Sequence, residues 1–103
     1  MIRREGERMA VDGALTLANA AVLLREGNAA IAGGVRTVDL AGVGELDSSA
    51  LALLLAWRRE AKRLNRELEL ANLPEGLTTI ARLYGVAELL PASIASSASA
   101  AHH

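Results

Sequence analysis

With 103 residues, a formal net charge of −1 and no cysteine, the chain is sized for one modest domain and excludes disulfides and thiolate metal sites. Charges of both signs are interspersed, so the basic footprint of a nucleic-acid binder is missing, and no apolar run approaches the roughly 20 residues that span a bilayer. There is no Phe, one Trp and one Tyr, so the core must be packed from Ala, Leu and Val, which suits helices laid on a sheet.

The N-terminus, with Arg3, Arg4, Glu5, Glu7 and Arg8 close together, has no apolar segment of a secretory signal, and the expected location is cytoplasmic. Residues 7–16, ERMAVDGALT, alternate Met9 and Val11 against Ala10 and Asp12, the period of a strand. Gly6 and Gly13 predict a hairpin or bend around it. Residues 17–32, LANAAVLLREGNAAIA, place Leu17, Ala20, Ala21 and Leu24 at helical spacing. Gly27 is expected to weaken that helix, since glycine costs about 1 kcal/mol against alanine in a helix interior. Residues 35–40, VRTVDL, read as a strand and AGVG as a loop. A long helix follows from about Ser48 to Asn65, then a strand over 67–71, a turn at 72–74 and a helix over 75–84. A last short strand is expected over 86–90. Strands alternating with helices imply a mainly parallel sheet with right-handed crossovers. The tail 92–103 is Ala/Ser low complexity ending in the tag-like pair His102 and His103, and is expected to be disordered or weakly helical.

Little here supports catalysis. The terminal pair are the sole histidines, so no Ser-His-Asp relay is expected within the domain, and no cluster has metal-ligand spacing. Gly42 and Gly44 follow a strand and precede a helix, as in a dinucleotide-binding turn. Asp47 then stands where the third glycine belongs, placing a carboxylate where a pyrophosphate would dock. No catalytic residue, metal or cofactor is expected.

The segment 45-ELDSSALALLLAW-57 is the informative one. Asp47, Ser48 and Ser49 suit a helix N-terminus, because their oxygens accept from free backbone N–H groups and Asp complements the positive end of the dipole. At 100° per residue, Ala50, Leu53, Leu54, Trp57, Ala61 and Leu64 share one arc and form the expected core face. Ser48, Ala52, Leu55 and Arg59 fall on the opposite side, with Leu51 at its edge. Either Leu51 and Leu55 widen the buried stripe, or they join Ser48 in an exposed apolar patch of the kind that marks interaction surfaces. The indole N–H of a core Trp57 needs an acceptor. The basic run Arg58, Arg59, Lys62, Arg63 and Arg66 reads as a solvated face, or as a docking patch for an acidic partner surface.

VRTVDL, AGVGEL and DSSALALLL together resemble the signature segment of STAS domains, the fold of sulfate transporters and anti-sigma-factor antagonists. The similarity continues through ELELANLP and EGLTTIARLYGVAELLP. It implies one α/β domain over residues 1–91, with a mixed, mainly parallel sheet of four to five strands and helices largely on one face. Two branches of the family imply different partners. Anti-sigma-factor antagonists usually carry Asp-Ser-Ser/Thr-Gly, and a partner serine kinase phosphorylates the first hydroxyl. Ser48 occupies that position, but Ala50 replaces the glycine. The run ALALLL, ARLYGV and the ending ELLP resemble instead the small STAS subunits of Mla-type phospholipid transporters, which bind the cytoplasmic ABC ATPase. That resemblance implies a non-enzymatic subunit, peripheral to the inner membrane through its partner and not inserted in it. Asp47, Ser48, Ser49, Leu51, Ala52, Leu55 and Arg59 are then the expected partner-binding residues, and Ser48 the candidate phosphorylation site. A ligand-binding STAS module is a third possibility. An isolated chain can also pair with itself through the same helix face.

Overall fold

The computed structural model describes residues 1–83. The expected strand over 86–90 and the tail 92–103 lie outside the described residues. The elements in chain order are β1 (Ile2–Glu5), β2 (Arg8–Val11), β3 (Gly13–Leu15), α1 (Leu17–Ala32), β4 (Thr37–Asp39), β5 (Val43–Leu46), α2 (Ser48–Arg63), β6 (Glu69–Ala71) and α3 (Glu75–Leu83).

Four strands form the main sheet in the order β1-β2-β4-β6. β1 is antiparallel to β2, and β2, β4 and β6 run parallel. The register aligns Met9, Val38 and Leu70 across the three parallel strands, and all three are buried. The neighbouring rows, Arg8–Thr37–Glu69 and Ala10–Asp39–Ala71, are exposed or half-buried. Period-2 alternation thus gives one dry face and one wet one. The dry face meets Leu23 and Ile31 of α1, Ala50, Leu54, Trp57 and Ala61 of α2, and Leu77 and Ala81 of α3 in one core. Burying each large aliphatic side chain there contributes about 1.5–3 kcal/mol.

β5 was not expected, and β1 is the partner strand that the predicted hairpin at Gly6 implies without giving its bounds. The sequence IRRE of β1 shows no apolar alternation, yet it pairs with β2 through a turn in which Gly6 takes φ +64°, a conformation glycine adopts without steric cost. As an edge strand it needs little apolar surface, and its charges blunt the edge. Arg4, opposite Met9, reaches over to α1 and donates to the Gly33 carbonyl at its C-terminus. β5 begins in the expected AGVG loop, runs on through Leu46 and pairs in parallel with β3, forming a second, two-stranded sheet. That pairing is non-local, so a local pattern gives no sign of it.

Gly27 does not break α1, which runs unbroken through it. It is buried, and a Cβ at this position would stand 2.1 Å from two atoms of the Trp57 indole. Trp57 is fully buried, as the helical wheel implies, and its Nε1 donates to the Leu24 carbonyl at 3.4 Å. The contact between α1 and α2 is therefore a bulky ring set against a bare stretch of backbone. α2 ends at Leu64, followed by Asn65 at φ 61°, the left-handed exit that Asn tolerates.

Candidate functional site

β3 and β5 lie side by side in parallel, with Leu15 opposite Leu46. β3 leads into α1 and β5 into α2, so the two helices start next to each other. Asp47 is the N-cap of α2, and its Oδ1 accepts from the Ser49 amide at 2.8 Å. Its Oδ2 accepts from the Leu17 amide, the first of α1, at 3.2 Å. The N-cap of α1, Thr16, makes no side-chain cap bond, and neither helix has an acidic residue in its first turn. One carboxylate thus serves both N-termini. These two amides, Ser49 first and then Leu17, hold the Asp47 carboxyl below its ordinary value, because both favour the charged form.

From this shared start a groove of about 420 Å³ runs between the helices. Leu17, Ala20, Ala21 and Leu24 of α1 form one wall, and Ser49, Ala52, Leu53 and Ala56 of α2 the other. The four α1 residues are those whose spacing announced the helix, but they do not all face the core. Leu17 is 76% exposed, and the buried positions of α1 are Leu23, Gly27, Ala30 and Ile31. In an alanine-rich helix the periodicity marks a stripe without saying what covers it. Small side chains on both helices leave the groove open.

The predicted ridge of α2 divides. Ser48, Ala52 and Arg59 are exposed, and Leu55 is half-buried against the core. Their angular positions place all four on one ridge beside the groove. Leu51 does not belong to it. It is buried at 4%, so its expected place in an exposed patch is corrected. The reason is that α2 packs against α3 as well as α1. Leu51 lies on the flank turned away from α1, and the buried arc is wider than a single stripe. Ser49 is half-buried and lines the groove wall.

The basic run after Trp57 is partly committed within the fold. Arg63 pairs with Glu60 at 2.6 Å, and Arg66 donates to the Ile31 carbonyl at the end of α1. A separate polar network lies at the far side of the sheet. Asp39 accepts from Asn72 Nδ2 at 2.9 Å, from the Ala41 amide at 2.9 Å and from Arg8 at 2.9 Å. Led by the Asn72 bond, these donors hold its carboxyl down at about 2. Among the described residues no polar or charged side chain is fully buried, and no group of three His, Cys, Asp or Glu could hold a metal. No described helix is long and apolar enough to cross a membrane. The arrangement offers a surface for a partner.

A family model described as Mlab, STAS domain, matches residues 1–91. No curated protein sequence matches. Among solved structures, the anti-sigma factor antagonist SpoIIAA in its unphosphorylated form is 18% identical, with a TM-score of 0.61 and 81% of each chain covered. The Bacillus cell fate determinant SpoIIAA in its phosphorylated form is also 18% identical, with a TM-score of 0.63, covering 88% of this chain and 87% of that one. A structure of Mglu is 25% identical with a TM-score of 0.53, covering 73% of this chain but 19% of that one. At these identities the similarity concerns the fold.

Proposed function

This chain belongs to the Mlab, STAS domain family, and from that premise we propose that it is a non-enzymatic accessory subunit that binds and regulates the cytoplasmic ATPase of an Mla-type phospholipid ABC transporter. Such a subunit is cytoplasmic and reaches the inner membrane through its partner. The observation that carries the reading is the ridge of exposed Ser48, Ala52 and Arg59 with half-buried Leu55 beside the open apolar groove. Apolar surface next to a hydroxyl and a cation suits a protein contact, with Asp47 and Ser49 at its head. A ligand that binds one conformation of the ATPase stabilises that conformation by mass action. Activity then changes by population shift, with no chemistry in this domain.

Ser48 also supports a second reading, an anti-sigma-factor antagonist switched by a partner serine kinase. Its hydroxyl is exposed in the first turn of α2, and a phosphate there would add about −1.5 to −2 charges. The helix dipole favours that charge, whereas the carboxylate of Asp47 next to it does not. Two experiments separate the readings. Ser48→Glu and Leu55→Asp should each abolish copurification with a co-expressed Mla-type ATPase; retention by both variants refutes the docking face. Incubation with a cognate serine kinase should leave the mass unchanged under the first reading and add one phosphate under the second.

A further inference from the structure

The Asp47 carboxylate has two acceptor oxygens, and each is committed to a different helix: Oδ1 to Ser49 of α2, Oδ2 to Leu17 of α1. Asp47 also donates its own amide to the Leu15 carbonyl at 3.2 Å, so backbone and side chain together tie the start of α2 to the end of β3 and the start of α1. Thr16, which could have capped α1 from its own N-cap position, does not. This is more than an N-cap requires, because a cap needs one oxygen and one helix. The two walls of the groove belong to these two helices, and Leu17, the residue whose amide is held, is itself a wall residue with a 76% exposed side chain. From these contacts we infer that Asp47 is a positioning residue: it fixes the first turn of α1 against that of α2, so that the two walls present one surface to the partner.

The inference rests on the docking reading for its consequence, but the link itself is measurable without a partner. Asp47→Asn is the discriminating change. An amide carries one acceptor oxygen where a carboxylate carries two, and Asn caps a helix about as well as Asp. The variant therefore keeps the cap of α2 and loses the bond to Leu17, where its NH₂ faces another donor. In ¹H–¹⁵N spectra of the full chain, the Leu17 amide proton should move upfield while that of Ser49 changes less. Affinity for the Mla-type ATPase should fall about tenfold, the scale of one charge-assisted hydrogen bond.

A second variant separates positioning from mere capping. In Asp47→Asn/Thr16→Asp, the new carboxylate caps α1 from its own N-cap position and restores its stability without tying it to α2. Recovery of the unfolding midpoint with affinity still reduced supports the inference. Recovery of both overturns it, because Asp47 is then only a cap. Unreduced affinity of Asp47→Asn overturns it equally. Should the unaltered chain fail to bind the ATPase, the docking reading fails, and the Leu17 signal decides the link: displaced in Asp47→Asn it stands, unmoved it falls.

Discussion

Replacing Gly27 by Ala should destabilise this protein, although alanine is the better helix former by about 1 kcal/mol. The added Cβ would stand 2.1 Å from Cε2 and Nε1 of Trp57 and 2.4 Å from Cζ2, where real Cβ contacts essentially never fall under 3.0 Å. The indole is fully buried and donates to the Leu24 carbonyl, so it has no solvent side to swing into. Relief requires α1 and α2 to part. Overpacking of this kind costs about 1–3 kcal/mol, and stretching the 3.4 Å indole bond forfeits up to about 1 kcal/mol more. Against the propensity gain, the net loss is at most about 3 kcal/mol. Urea unfolding followed by fluorescence reads it directly, because Trp57 is the sole tryptophan and sits in the perturbed contact. In a Trp57→Leu background, followed by circular dichroism, the same substitution should be neutral or stabilising by up to about 1 kcal/mol. A raised urea midpoint for Gly27→Ala in the unaltered chain refutes the reasoning.

Leu51→Ala should cost about 2–5 kcal/mol, the range for emptying a buried leucine site, whereas Leu17→Ala should stay within about 0.5 kcal/mol; equal thermal shifts would return Leu51 to the surface. The folded pKa of Asp39, about 2, lies below the unfolded value of 3.8. Its contribution is therefore fully present above pH 4 and is lost as pH falls towards 2. With its side chain 21% exposed, about 1–2 kcal/mol is expected after solvent screening. The difference in unfolding midpoint between the unaltered chain and Asp39→Asn should narrow across that window, and a constant difference would show that the network adds nothing through charge.

The sequence was most legible where the pattern is local and strong. α1 and α2 start where expected, and α2 carries its own capping signal in Asp47 and a core face anchored by Trp57. The Asp-Ser-Ser segment stands at the start of α2, as its capping chemistry implies. The Gly6 turn signals the hairpin locally, but the charged sequence of β1 gives no pattern that bounds the strand. What escaped was non-local: β5 exists because β3, some thirty positions earlier, offers it a partner. The second bond of Asp47, to Leu17, spans thirty positions of chain and follows from that same pairing. Leu51 was misplaced because a helical wheel shows one helix at a time, and α2 has two helical neighbours. Gly27 was read for its propensity when its contribution is the space it leaves for an indole.

The outer face of the four-stranded sheet has its own consequence. It carries Arg3 paired with Asp12 and Arg8 paired with Asp39, each charge neutralised at close range by a side chain of this chain. Those four charges are satisfied within the fold and leave little long-range field of their own. With the three described helices packed on the other face of the sheet, the docking reading assigns the partner to the helical side.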